Sequence, residues 1–245
     1  MPKEKEAGHS KRSASREAEL YLKRILFEGR LKPRERVIEE EVARSVHCSR
    51  GPVREAVLRL EREGLLLVTQ RRGIFVRDVS REDLSAIFRI RGKLEGLCAR
   101  YLHESHLTEG ESLLKQCLAE MKTAAAKRDE GALLRADMKL HRSIWRLSGQ
   151  EYLYRILGLV MNPMIFMIAR TYASRVSTPE EMYKDHEQYV RLILETPVAR
   201  VERKVEQYFE TLHRNLDRAV FSPTFALTDS GKDIDDPLNE LIGEF

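Results

Sequence analysis

The sequence predicts a mainly α-helical chain in two parts: a small N-terminal module of three helices and a hairpin, then an all-α bundle of six helices. Three observations carry that prediction. Apolar residues recur at three- and four-residue spacing over most of the chain, as one buried face of a helix requires. Two short β-type runs, at 65–69 and 74–76, bracket a basic turn containing Gly73, and no strand pattern follows Ser80. Charge divides the same way. Residues 1–77 hold 19 Lys and Arg against 12 Asp and Glu, whereas the whole chain nets only +4, so the remainder is mildly acidic.

Length and composition set outer bounds. A chain of 245 residues with 42% hydrophobic content can bury a real core and is long enough for two domains. No apolar run approaches the roughly 20 residues of a membrane span. The first residues, Met-Pro-Lys-Glu-Lys-Glu, lack the apolar stretch of a secretory signal. Cys48, Cys98 and Cys117 are scattered and form no paired motif, which reads as reduced thiols in a cytoplasmic protein. No repeat of 20–50 residues is visible.

In chain order, residues 1–14 are polar and aperiodic and are expected to be a disordered tail. A helix follows from about Ser15, with Ala18, Leu22, Ile25 and Leu26 on one face and a stop near Gly29. Leu31-Lys32-Pro33 is a loop. A second short helix carries Glu39, Glu40 and Glu41 in its first turn, where carboxylates suit the positive helix end. Ile38, Val42, Ala43 and Val46 form its apolar side, and His47-Cys48-Ser49 turns the chain into the third helix. There Ser49 is the expected N-cap, its hydroxyl able to accept a first-turn N–H. Pro52 lies in the first turn, where its missing N–H breaks no helical bond. Val53, Ala56, Val57 and Leu60 make the buried face, and Gly64 ends the helix. Arg50, Arg54, Arg59 and Arg62 lie off that face.

Helix, short turn, and a helix with arginines at its free front is the helix-turn-helix arrangement. The following hairpin, with Gln70-Arg71-Arg72-Gly73 at its turn, is then a wing. Such a module binds double-stranded DNA. Arg50 and Arg54 are expected to read base edges in the major groove, and Ser49, Arg71, Arg72 and Gly73 to meet phosphate or the minor groove. The competing reading is a surface helix with solvated arginines.

These residues carry a family resemblance. Leu31-Lys32-Pro33, the helix from Glu39 to Ala43, Ser49-Arg50-x-Pro52-Val53-Arg54-Glu55-Ala56, Leu60-Glu61-x-Glu63-Gly64-Leu65 and Arg72-Gly73-x-Phe75-Val76 resemble the winged helix-turn-helix of GntR-family bacterial transcription regulators, over residues 15–78. The pattern departs from the family at three places. Arg34 stands where a glycine usually follows the proline, Glu40 where many members have a DNA-contacting arginine, and His47-Cys48 where Gly-Val is usual.

The second part, 79–219, divides into helices at roughly 80–104, 108–128, 130–148, 150–174, 178–195 and 197–219, with Pro163 expected to kink the fourth. Ser80-x-x-Asp83 resembles a capping box with a shortened acid. Titratable groups fall on the apolar stripes. Leu134, Asp137, His141 and Trp145 share one. Met182, His186, Tyr189 and Ile193 share another, and Val205, Phe209, His213 and Leu216 a third. Unpaired burial of such groups costs several kcal/mol. Asp137, His141, His186 and His213 should therefore meet one another or a metal, and imidazoles with a carboxylate suit Zn²⁺, Ni²⁺ or another divalent ion. Arg91 sits on the first bundle helix with Leu84, Ile87, Leu94 and Cys98. It is expected either to pair with Glu95 or to clamp an acidic small molecule lying over the metal.

Arg91-x-x-x-Glu95, Asp137-x-x-x-His141, Asp185-His186 and Leu212-His213 resemble the FCD ligand-binding domain of FadR-type GntR regulators, with six helices as in the VanR-like branch. The resemblance implies that the Asp and three His bind a divalent metal and that a small carboxylate effector binds over it. Gln150, where an asparagine commonly follows the glycine, departs from the pattern. Residues 220–245 look like an acidic extension outside it. The expectation is a homodimeric, effector-responsive regulator on a palindromic operator, not an enzyme. One alternative is a regulator for which the metal itself is the signal. Others are a structural ion beside an acyl pocket, and a metal-dependent hydrolase.

Overall fold

A computed structural model describes residues 3–27, 30–78, 80–105, 107–161 and 178–220. They fall into two compact units, one up to Asp78 and one from Val79 onward. Among the described residues no helix is long and apolar enough to cross a membrane.

The first unit contains α1 (Lys3–Phe27), β1 (Arg36–Val37), α2 (Glu39–Ser45), α3 (Arg50–Arg62), β2 (Leu66–Thr69) and β3 (Gly73–Val76). Ala18, Leu22, Ile25 and Leu26 of α1 are buried, as are Pro52, Val53, Ala56, Val57 and Leu60 of α3. These are the faces that the spacing predicts. The strands pair antiparallel in the order β1-β3-β2, with Leu66 opposite Val76 and Thr69 opposite Gly73.

Three expectations are corrected here. The helix begins at Lys3 rather than near Ser15, so the stretch expected to be a disordered tail is helical from that residue. Its Glu, Lys, Ala and Arg are good helix formers, and extending an existing helix avoids the cost of nucleation. Second, the hairpin has a third strand: Arg36 lies opposite Phe75 and Val37 opposite Ile74. A two-residue strand is too short to show a period. Third, Ser49 holds the N-cap position with extended backbone, but its side chain makes no capping hydrogen bond. The neighbouring Arg50 and Gly51 are exposed, so solvent can satisfy the first-turn N–H groups. His47 takes the left-handed conformation at φ 51°, and so does Arg34 at φ 68°, where the family pattern has glycine.

Charge also enters this core. Lys23 is 2% exposed and lies 3.2 Å from Glu19 and 2.9 Å from Glu63 at the far end of α3. Arg59 reaches Glu19 at 2.7 Å and Ser15 as well. This network ties α3 to α1, and burying such ions is weak evidence of net stabilisation because desolvation offsets the attraction.

The second unit contains α4 (Arg81–Ser105), α5 (Leu107–Lys127), α6 (Glu130–Leu147), α7 (described over 151–161), α8 (Pro179–Glu195) and α9 (Val198–Val220). The observed bounds lie at or beside the expected ones, and the expected end of the fourth helix at 174 lies outside the described residues. Asp129 caps α6 by accepting from Ala132 N–H at 2.8 Å. Thr178 and Glu181 form a reciprocal capping box at α8, and Ser80 and Asp83 do the same ahead of α4. Pro163 and residues 221–245 lie outside the described residues.

Glycines set how closely α4 and α9 approach. A Cβ on Gly96 would sit 2.8 Å from the backbone oxygen of Glu202, and one on Gly92 would sit 3.1 Å from Phe209 Cβ. We therefore expect Gly96→Ala to force the helices apart and cost about 1–3 kcal/mol. Urea unfolding of the two proteins measures this, and an unchanged midpoint would contradict the close approach. The approach matters because α4 carries Arg91 and Glu95.

Candidate nucleic-acid interface and candidate metal centre

α3 presents its front to solvent. Ser49, Arg50, Gly51 and Arg54 are exposed, and so are Arg71 and Arg72 at the hairpin turn, with Gly73 half-buried beside them. The wing does not cover the two front arginines, whose side chains keep 57% and 65% of their accessible surface. Each is nevertheless engaged. Arg50 Nη2 donates to Glu40 Oε2 at 2.5 Å, and Arg54 Nε donates to Glu39 at 3.2 Å, both across the turn to α2. Arg36, on the unforeseen strand, brings its guanidinium to the wing turn: a Cβ on Gly73 would lie 3.1 Å from Arg36 Nε. Gly73 itself has φ 112°, a conformation that side chains rarely adopt.

The bundle gathers its titratable groups at one level. Asp137 and His141 of α6 and His186 of α8 each offer a ligand atom, and these atoms all lie within 4.8 Å of one another. His186 Nε2 is 2.5 Å from Asp137 Oδ1, and His141 Nε2 is 3.5 Å from it. His186 Nδ1 donates to the Met182 carbonyl at 2.8 Å, which fixes the tautomer and leaves Nε2 facing the carboxylate. Above them Arg91 Nε donates to Glu95 Oε1 at 3.0 Å, and Arg91 Nη2 lies 2.9 Å from His141 Nε2. Glu95 is fully buried. It also lies 3.2 Å from His141 Nδ1 and accepts from Tyr189 Oη at 2.7 Å. The Arg91 guanidinium lies over the Phe209 ring at 4.5 Å.

The electrostatics follow from burial and pairing. Burial pushes the Glu95 carboxyl up, but His141 and Arg91 outweigh it and hold the group down to about 2. Burial likewise opposes Asp137, and His186 with His141 brings it to about 2. Burial and then Arg91 lower the His141 imidazole, favouring its neutral form. Burial disfavours the charged form of His186 too, yet Asp137 wins and raises it. Burial and the Glu95 charge raise the Tyr189 phenol well above its usual value, so it remains a donor.

His213 is not in this group. Its ring packs on Phe88 at 5.5 Å, and its Nε2 is buried with no hydrogen-bond partner among the described residues. Phe209 already stands at the level of Arg91, and four residues on is about 6 Å further along the axis. His213 is thus placed against Phe88, outside the cluster of Asp137, His141 and His186. Trp145, one turn beyond His141, has a buried Nε1 with no hydrogen-bond partner among the described residues. It lines an open cavity of about 250 Å³ with Arg146, Gln150 and Tyr154.

The donor set fits a divalent transition ion in chemical type. It combines one carboxylate with two imidazoles, one of them held by an outer hydrogen bond. Glu95, expected from the sequence as a partner for Arg91, also meets His141 and Tyr189. The signal was the Arg91-to-Glu95 spacing of one helical turn, which puts both on one buried stripe. It gave no hint of the Glu39 and Glu40 contacts, which cross between helices.

Comparison with known proteins decides the family. The family model described as the FCD domain matches residues 86–211, more than half of the chain, and the model described as bacterial regulatory proteins, gntR family, matches residues 14–76. The chain belongs to the GntR family and carries an FCD domain. Among GntR relatives it is 31% identical over 137 residues to the uncharacterized HTH-type transcriptional regulator YdhC of Bacillus subtilis (strain 168), a match covering 56% of this chain and 61% of that protein. It is 27% identical over 145 residues to the Nta operon transcriptional regulator of Aminobacter aminovorans, covering 59% and 63%. The matches thus span less than two thirds of either relative. Among solved GntR structures, one from Rhodococcus sp. RHA1 superposes with a TM-score of 0.67 at 20% identity, covering 83% of this chain and 98% of that one. At that identity the likeness speaks to the fold. These relatives and domains point to a regulator rather than an enzyme.

Proposed function

We propose that this GntR-family chain is a DNA-binding transcription regulator that acts as a homodimer on a palindromic operator and responds to a small carboxylate effector. The observation that carries this reading is the pair of arginines at the uncovered front of α3, backed by the buried ion network that seats that helix. Arg50 and Arg54 are the groups for base edges. Ser49, Arg71, Arg72 and Gly73 are the groups for phosphate or the minor groove. Replacing Arg54 with Ala should cost about 1–3 kcal/mol of operator affinity. A gel-shift titration at constant salt measures it, and equal affinity would remove Arg54 from the interface.

Asp137, His141 and His186 would hold a divalent ion such as Zn²⁺ or Ni²⁺, with His213 the candidate fourth ligand. Bound there, the ion supplies a Lewis-acid site for a carboxylate. Arg91 supplies the guanidinium that orients such a ligand. Its hydrogen bond to His141 must be given up before that imidazole can serve as a ligand. This bond favours a second reading, in which the metal alone moves Arg91 and is itself the signal. Native mass spectrometry of the purified protein tests both, since it reads subunit count, ion and retained small molecule together. The effector reading expects a dimer with ion and an added organic acid. A monomer carrying neither would overturn it. Operator affinity that follows zinc concentration with no organic ligand present would favour the second reading.

A further inference from the structure

We propose that Glu40, with Glu39 beside it, is a specificity-determining residue that holds the DNA-reading arginines in check until base edges replace it. The inference rests on the DNA-binding reading above and deepens it. Glu40 Oε2 accepts from Arg50 Nη2 at 2.5 Å, and the same carboxylate lies 3.9 Å from Arg44. Glu39 accepts from Arg54 Nε at 3.2 Å. Both carboxylates come from the first turn of α2 and both guanidinium groups from the front of α3, and the Arg50–Glu40 pair is solvent-exposed at 57% and 59%.

The consequence follows from how proteins bind DNA. Sequence-independent affinity comes from cations meeting phosphates and releasing counterions, and each such contact adds about 0.9 to the slope of log affinity against log salt. An arginine already matched by a carboxylate brings no net charge to that encounter. Arg50 and Arg54 are therefore muted toward any duplex. A base edge that offers two acceptors to one guanidinium, as guanine does in the major groove, compensates for the ion pair where a lone phosphate does not. Exposed pairs are weak, so they yield when the correct edge arrives. Glu40 also sets an exposed negative charge beside Arg50, which repels phosphates that approach that arginine. It acts through Arg50 and is in that sense a positioning residue.

The test uses the full chain and two fluorescent duplexes of about 30 base pairs, a length that spans two half-sites one to two helical turns apart. One is of random sequence and the other is enriched by selection against the wild-type protein. Anisotropy titrations over a salt series give affinity and slope. Glu40→Gln should bind the random duplex several-fold more tightly, with a slope steeper by about 1. The enriched duplex should gain less, so selectivity falls. Glu41→Gln removes the same charge one residue away from an exposed site and should leave both values near wild type. Glu40→Asp should restore part of the selectivity. Unchanged random-duplex affinity and slope in Glu40→Gln overturns the proposal while leaving the DNA-binding reading standing. An equal effect from Glu41→Gln overturns it too, because bulk charge would then explain the result. A wild type that binds neither duplex overturns the DNA-binding reading and this proposal with it.

Discussion

Replacing Arg91 with Ala is expected to lower folding stability by about 3–5 kcal/mol, the range seen when one partner of a buried ion pair is removed. Glu95 is fully buried, and Arg91 is its ion-pair partner on the same helix. Without the guanidinium, His141 and Tyr189 alone must offset a buried charge, and the Phe209 ring loses the cation above it. At the size of this chain each kcal/mol is worth roughly 2–4 °C of melting temperature. Urea and thermal unfolding in the presence of a chelator measure the loss without interference from bound metal. The pH dependence gives a second readout. In the wild type the Glu95 carboxyl is held down to about 2, so its contribution is present above the ordinary carboxylate range near 4.5 and is lost as pH falls toward 2. The variant lacks that contribution. The gap between the two proteins should be widest at neutral pH and should narrow as the medium is acidified below about 4.5. A loss under about 1 kcal/mol at neutral pH would mean that the pair is not what supports this part of the core.

The second large effect concerns the ion. The protein as purified should carry about one divalent ion per chain, and either Asp137→Asn or His186→Ala should remove it, weakening binding by at least about 100-fold. Removal of an outer-sphere partner alone costs 10–100-fold, and the loss of a ligand exceeds that. His213→Ala should have the smallest effect of these three changes, because His213 lies outside the Asp137–His141–His186 cluster. Elemental analysis with competitive chelator titration provides the numbers. Ligands must be deprotonated to bind, and Asp137 raises the His186 imidazole above its ordinary value near 6.5. Protons therefore compete with the ion from a higher pH than for an ordinary histidine, and retention falls as pH drops through that elevated value. A metal-free wild type, or equal retention in Asp137→Asn, would dismiss the cluster as an ion site.

Much of this arrangement was legible in one dimension, and the reasons are local. The apolar spacing of Ala18, Leu22 and Leu26, or of Val53, Val57 and Leu60, depends only on the helical period. So do the inward positions of Asp137 and His141, and of Arg91 and Glu95, each a turn apart. Caps and breaks are local too: Asp129, Thr178 and Gly64 act within four residues. β1 was not legible, because two residues show no alternation. The helix over the first residues was not legible either, because composition suggested a tail where extension of α1 decided the matter.

What the sequence by itself determined is which residues lie on the inward stripes of each helix and which arginines stand off them, since both follow from period and capping within a turn or two. Only the tertiary structure decided which of those residues meet. It brought Asp137 and His141 to His186 but left His213 against Phe88, and it set Arg50 on Glu40 and Arg91 between Glu95 and His141. The physical reason is that a helical repeat specifies direction around an axis, whereas contact also needs the height and separation of two axes. Those come from packing, here from glycines as close as Gly96 to Glu202.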